Sequence, residues 1–318
     1  MKDLSIIVPH YNTPDLLEKL LSTIVFDENI EVLVIDDKSD KNLDEYHKLK
    51  IKWENRVIFL DNATDKKGAG ICRNIGLEKA VGKWLFFADS DDYFAEGYND
   101  ILNRYLNSDY DMVYFMPDSV SLETGKPAHR HEAYKRLLEK YLTNKNDKNL
   151  YELIFTYITP WGKLIRRDIV LNNGIVFDDT IVANDVMFMT QSAYYSRNNV
   201  YVDSEVVYYV TRMAKTLTTK KDERKFDVRL NVFLRRYNFL HERLDNKQFK
   251  YINLNRIAIS QIINAIMYGY GIKKAISVLN IFVKNKVYLF DIGLLNPIDL
   301  FQQIKMYLSW RFEDKRLQ

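Results

Sequence analysis

The sequence predicts an α/β fold: an open, mostly parallel sheet with flanking helices, followed by a helical C-terminal region. Two observations predict it. Over the first 115 residues short apolar runs alternate with segments of helical periodicity, the pattern of a sheet covered on both faces. From about residue 222 onward the periodicity is helical throughout, rich in Leu, Ile, Phe and Tyr and in Lys and Arg.

The elements follow in order. "LSIIVP" is a short apolar run suited to a buried strand, after which Thr13 can cap a helix with Pro14 at its first position. Leu16, Leu17, Leu20, Leu21 and Ile24 give that helix one apolar face. "EVLVID", "RVIFL" and "KWLFFAD" are further strands, and "DMVYFMP" a fifth, with helices at "LDEYHKLK" and "GICRNIGLEKAV" between them. The stretch 116–212 is mixed: a turn at "ETGKP", helical segments at 132–157, "TPWGKLIRRDIV", an acidic loop "FDDTIVAND" and the strand-rich "NVYVDSEVVYYV". "MAKTLTTKKDERK" reads as a linker or mobile loop.

Composition narrows the function. The 318 residues suffice for one large domain, or a catalytic domain with an appendage. A net charge of only +3 argues against a nucleic-acid binder, whose footprint is a strong basic excess. Cys72 is the single cysteine, so no internal disulfide forms; it reads as a small buried helix residue. The apolar start is cut off by Pro9, His10 and Asn12 and lacks the features of a signal peptide. "IAISQIINAIMYGYG" is interrupted by Ser260, Gln261 and Asn264 and is short for a bilayer span. The expectation is a cytoplasmic protein, with peripheral attachment at the inner face of the membrane left open.

The chemistry lies at the strand ends, where open α/β sheets bind their ligands. "WLFFADSDDYF" runs from apolar residues into Asp89, Asp91 and Asp92. With Ser90 between them, Asp89 and Asp91 can point at one place, and a hard cation such as Mn²⁺ or Mg²⁺ would relieve their repulsion and attract a diphosphate. The same acids would otherwise line a solvated turn or cap a helix. Asp36 and Asp37 end the second predicted strand, placed to accept hydrogen bonds from ribose hydroxyls or a base N–H, and Tyr11 is placed to stack on the base. Gly68 and Gly70 precede a helix whose N-terminus favours anions, with Arg73 in its first turn. "HRH" at 129–131 has no accompanying Cys or His cluster and reads as a solvated loop.

Together these motifs resemble glycosyltransferase family 2, the inverting, nucleotide-sugar-dependent enzymes with the GT-A (Rossmann-like) fold. "SIIVPHYNTPDLLEKLLSTI", "EVLVIDDKSD", "GAGICRNIGLEKAVGKW" and "LFFADSDDYF" match the family's motifs in order over residues 5–94, and "TPWGKLIRRDIV", "IVFDDTIVANDVMFM" and "VVYYVTR" extend the likeness. The resemblance implies a catalytic domain over 1–212, with a nucleotide-binding half (1–115) and an acceptor-binding half (116–212), and a helical region over 213–318. It implies that Tyr11 and Asp37 contact the base, Pro9 shapes that pocket and Asp36 supports the ribose. Asp89 and Asp91 would hold the diphosphate through Mn²⁺ or Mg²⁺, beside Gly68, Arg73 and Ser90. The family's base is an acid in a Glu-Asp pair opening a later helix. Here the pair reads Asn184-Asp185, which makes Asp185 the base; Trp161 and Lys163 would line the acceptor or diphosphate side.

The activity so implied is inverting transfer from a nucleotide sugar, UDP-linked by the family's habit, to a saccharide or lipid-linked saccharide. Two alternatives stay open from the residues. One is a haloacid-dehalogenase-like phosphotransferase using Asp89, which would form an aspartyl-phosphate. The other is a sugar-nucleotide-binding protein without turnover, to which Asn184 points. The cation-rich C-terminal helices suit three roles: packing on the catalytic domain, pairing chains into a homodimer, or contact with an anionic membrane surface.

Overall fold

The computed structural model describes residues 2–212 and 222–289. Its centre is a seven-stranded sheet. Its first strands are β1 (Leu4–His10), β2 (Ile30–Asp36), β3 (Ile58–Asp61) and β4 (Trp84–Phe87); β3 lies at the edge, and β1, β2 and β4 are buried at every position. Burial on both faces is what removes polar alternation from such strands. Helices α1 (Pro14–Thr23), α2 (Leu43–Trp53) and α3 (Ala69–Lys79) make the crossovers. Thr13 and Pro14 do start α1, but the Thr13 hydroxyl does not cap it. The Thr13 N–H instead donates to His10 Nε2 at 3.2 Å, and its hydroxyl lies 3.5 Å from Ser90 Oγ.

Beyond β4 come β5 (Tyr93–Phe94), α4 (Tyr98–Leu106), β6 (Met112–Tyr114) and β7 (Asp118–Ser121). Then follow α5 (Glu132–Thr143), α6 (Asp147–Thr156), β8 (Lys163–Arg166), α7 (Arg167–Asn172), α8 (Val186–Ser196), β9 (Val200–Val202) and β10 (Tyr208–Arg212). The sheet order is β3-β2-β1-β4-β8-β6-β9, parallel except for β8, which runs against both neighbours. "DMVYFMP" is a strand as expected, but "KLIR" of β8 separates it from β4. A second sheet, β5-β10-β7, stands at the exit of β4.

The order places a topological switch between β1 and β4, since the chain winds one way to β2 and β3 and then returns to the other side of β1. Crevices outside the carboxyl ends of strands open at such points. His10–Thr13 and Ala88–Asp92 flank this one.

Helix α9 (Glu223–Arg243), capped by the Asp222 side chain, and α10 (Asn246–Tyr251), with an Asp245/Gln248 capping box, complete the first compact unit, which ends at Ile252. The units therefore divide later than residue 212, because α9 packs on α8, Phe239 meeting Tyr194 edge-on. Of the expected linker, 213–221 lie outside the described residues, and Glu223–Lys225 already belong to α9. The second unit, from Asn253, contains α11 (Leu254–Met267) and α12 (Gly271–Lys284) among its described residues. "FQQIKMYLSWRFEDKR" lies outside them. Among the described residues no helix is long and apolar enough to cross a membrane.

One tight junction sets the position of β4. The buried Glu31 carboxylate accepts the Ser5 hydroxyl and the backbone N–H groups of Val81 and Gly82. A Cβ on Gly82 would stand 2.5 Å from the Ser5 backbone nitrogen. Gly82→Ala is accordingly expected to lower stability by about 1–3 kcal/mol, the usual cost of overpacking, as read from urea midpoints.

Candidate active site

The chain turns sharply after β4: the Asp92 N–H donates to the Asp89 carbonyl at 3.1 Å, closing a four-residue turn. Its Asp89, Asp91 and Asp92 carboxylates bring oxygens within 4.8 Å of one another. Strand β10 holds the turn from the other side. Thr211 donates its N–H to Asp92 Oδ1 and its hydroxyl to the Asp91 carbonyl, both at 2.7 Å, and the Asp89 N–H donates to Tyr208 Oη, also at 2.7 Å.

Burial and mutual repulsion push the Asp91 and Asp92 carboxyls above the usual range, Asp92 furthest. Asp92 is 2 % exposed and its Oδ2 has no hydrogen-bond partner among the described residues. Such an all-oxygen set, short of positive charge, fits a hard divalent cation. Asp92 thus belongs to the cluster alongside the predicted pair, Asp89 and Asp91.

Arg73 is the nearest permanent cation. Buried in the first turn of α3, it donates from Nη2 to Asp89 Oδ1 at 2.5 Å and from Nη1 to Asn184 Oδ1 at 3.4 Å, with its guanidinium over the Phe177 ring. It therefore joins the end of β4 to the segment that opens α8. Asn74 grips that segment too, donating to the Phe177 carbonyl and accepting the Phe177 N–H. Gly70 gives it room, since a Cβ there would lie 2.6 Å from the Asp178 carbonyl. Below, Phe87, Phe177 and Phe188 form an aromatic cluster.

Asp185 sits at the N-cap of α8, half-buried, without a side-chain cap bond. Burial pushes its carboxyl upward, Arg73 and Lys163 pull it partly back, and Asp89 adds to the rise. The neighbouring acids are committed elsewhere: Asp178 takes a bidentate pair from Arg235 of α9, and Asp179 pairs with Lys66.

The nucleoside-side residues are built into the loops. Asp36 accepts from His10 Nδ1 at 2.8 Å and from the Ser39 N–H and hydroxyl. Burial pushes its carboxyl up, but the His10 and Ser39 hydrogen bonds outweigh it and leave the group below the usual range. Asp37 accepts from Asn62 Nδ2 and from the Gly68 N–H, each at 2.8 Å. Gly68 thus directs its N–H at an acid of the chain. Tyr11 is exposed, its hydroxyl 3.3 Å from Asp40 and Lys67 4.8 Å above its ring. Pro9 is buried in β1.

Trp161 and Lys163 lie in the interior. Lys163 is wholly buried, Nζ donating to the Thr159 and Trp161 carbonyls above the Tyr157 ring. Burial drives its pKa well down, opposed by the charge of Asp185. The "HRH" reading needs correction: His131 is buried and meets Ser119 Oγ at 2.7 Å, because α5 begins there and turns it inward. A cavity of about 150 Å³ opens beside Asp91 and Asp92, between Leu16 and Lys19 of α1 and the turn after β7. That is below the ~300 Å³ at which pockets for whole organic ligands begin.

Sequence reasoning missed Thr211, Tyr208, Asn62 and His10. Thr211 and Tyr208 act through the pairing of β10 with β5, a contact across more than a hundred residues that local periodicity does not carry. The buried His10 at a strand end beside Tyr11 was the one available signal.

The family model described as "Glycosyl transferase family 2" matches residues 5–172. The chain is 28 % identical over 211 residues to the poly(ribitol-phosphate) beta-glucosyltransferase of Bacillus spizizenii, covering 65 % of this chain and 32 % of that protein. It thus spans about a third of the length of such curated relatives. Two solved structures share the fold. Staphylococcus aureus TarS 1–349 in complex with UDP-GlcNAc has a TM-score of 0.68 at 22 % identity, covering 90 % of this chain and 81 % of that one. A mannosyltransferase from Pyrobaculum calidifontis in complex with GDP-Man and Mn²⁺ has a TM-score of 0.56 at 13 % identity, covering 99 % and 84 %.

Because the Asp185 carboxyl is raised in the folded state, ionising it costs stability, in full at pH above that raised value and by less as pH falls below it, until the cost is gone under the ordinary carboxylate range. Asp185→Asn is therefore expected to raise the thermal midpoint at neutral pH. The gain over the native chain should close in acid, as calorimetry across pH can show.

Proposed function

The chain belongs to glycosyl transferase family 2, and on that footing we propose that it moves a sugar from a UDP-linked donor to a hydroxyl of a saccharide or lipid-linked saccharide, by one inverting displacement. The observation that carries the reading is Arg73, whose guanidinium ties the acid turn after β4 to the residue preceding Asp185. Donor-side acids and a base candidate then share one crevice at the sheet's switch point. The UDP-GlcNAc bound by TarS supports the choice of uridine.

In this reading Tyr11 and Asp37 flank the base, and Asp36 holds their loops through His10 and Ser39. Asp89 and Asp91, with Asp92 behind them, would hold Mn²⁺ or Mg²⁺. When bound, such a cation stabilises the charge of the departing diphosphate. Asp185 removes the acceptor proton as the hydroxyl attacks the anomeric carbon from the face opposite the diphosphate, which inverts the configuration. Its raised carboxyl suits this work, because a base is most effective when its pKa approaches the working pH. Asn184 replaces the first acid of the family's pair and accepts the Arg73 hydrogen bond, leaving Asp185 as the acid of the pair. Family membership sets aside the phosphotransferase alternative.

Three measurements test the reading. Asp185→Asn should cut transfer by roughly 10²–10⁴-fold while leaving UDP binding in the presence of Mn²⁺ unchanged; normal transfer by this variant would place the base elsewhere. Asp91→Ala should abolish the dependence of UDP binding on Mn²⁺, measured by titration calorimetry with and without chelator. In the native enzyme kcat should fall on acidification through the raised Asp185 pKa. Arg73→Leu, which removes the cation opposing that rise, should move the acid limb to higher pH.

A further inference from the structure

The second compact unit carries a surface that the transfer reaction does not use. Helix α12 packs on α11 and buries Ala275, Val278 and Phe282. Beside that buried face runs a second apolar stripe that stays in solvent: Ile272 (68 % exposed), Ile276 (52 %), Leu279 (38 %) and Val283 (66 %). At 3.6 residues per turn these four fall within about 60° of arc. Lys273 and Lys284, both exposed, flank the stripe on the side away from the buried face. Tyr288, shortly after the helix, is also largely exposed, and Ile263 and Ile266 of α11 are exposed in part.

Charge narrows what such a face meets. From Asn253 to Leu289 there is no Asp or Glu, while Arg256, Lys273, Lys274, Lys284 and Lys286 are all basic. A second copy docking through the same patch would bring these cations against their own counterparts, since a two-fold contact pairs a surface with itself. An anionic bilayer offers the complement: acyl chains for the isoleucine and valine side chains, and headgroup charge for the lysines at their rim. Isolated exposed apolar residues are ordinary in soluble proteins, but a continuous stripe with a cationic border is the pattern of a helix lying in a membrane interface.

We propose that α12 docks the protein onto an anionic lipid surface through Ile272, Ile276, Leu279 and Val283, with Lys273 and Lys284 at the headgroup level. The attachment is peripheral, resting on one amphipathic face together with its charges. It is therefore reversible and weakened by salt, because it rests on a few screened surface charges.

Flotation of the full chain with vesicles tests this, comparing phosphatidylglycerol–phosphatidylcholine with phosphatidylcholine alone. The native chain should float with the anionic vesicles and largely lose them in high salt. Ile276→Glu/Val283→Glu and, separately, Lys273→Glu/Lys284→Glu should each reduce the bound fraction about tenfold or more. Because all four side chains are exposed, both variants should keep the native far-UV spectrum and melting midpoint, which separates lost docking from lost fold. Equal flotation of the native chain and both variants would overturn the proposal. So would light scattering that finds a native dimer which Ile276→Glu/Val283→Glu separates while vesicle binding persists, since the face would then be a self-interface.

Discussion

The arrangement of the crevice depends on one buried guanidinium. Arg73 leaves the first turn of α3, reaches the acid that ends β4 and continues to Asn184 at the entrance of α8. Its two terminal nitrogens are met by a carboxylate and an amide oxygen, the acceptors a buried guanidinium needs most, so the two partners are held in place with it. It faces three clustered carboxylates and neutralises one of them, while the other two remain under repulsion. The site as built from protein alone therefore carries clustered negative charge that Arg73 only partly offsets.

A second cation stands on the opposite logic. Among the described residues no carboxylate pairs with Lys163; its ammonium is held by two backbone carbonyls and by aromatic faces from Tyr114, Tyr157 and Trp161. Rings with a negative face replace part of the lost hydration. Its charge reaches Asp185 through the interior, where it works in the same direction as Arg73 and against the effect of burial. The carboxylate at the N-cap of α8 therefore feels two buried cations of different character, one in direct contact with the acid cluster and one enclosed in rings.

Much of this was legible in the sequence. Strands buried on both faces announce themselves as unbroken apolar runs, and β1, β2 and β4 were read that way, together with the acids at their carboxyl ends. What local pattern cannot carry is pairing across long separations. The insertion of β8 between β4 and β6, and the docking of β10 beside the acid turn, depend on partners far away in the chain. Thr211 looked like an ordinary strand residue for that reason. His131 misled in the same way, because an imidazole side chain reads as exposed until a buried hydroxyl is placed beside it. Asn184 in place of an acid was visible from the start; that its side-chain oxygen meets Arg73 could only be seen in three dimensions.

The grip of Asn74 on Phe177 reaches further than a pair of hydrogen bonds suggests. A carboxamide that both donates to and accepts from a single residue behaves as one more peptide group, so the backbone at Phe177 is held as though a neighbouring strand ran beside it. The segment is anchored at that point by Asn74 and near its far end by Arg73 at Asn184, with Asp178 fixed by Arg235 in between. A chain pinned so closely has little freedom in length. Surface loops usually absorb insertions and deletions at small cost, yet here one added or lost residue would shift the helix start against its anchors. Diversity among proteins built on this plan should therefore accumulate in residue identity along 179–183, between the anchors, while the number of residues stays constant.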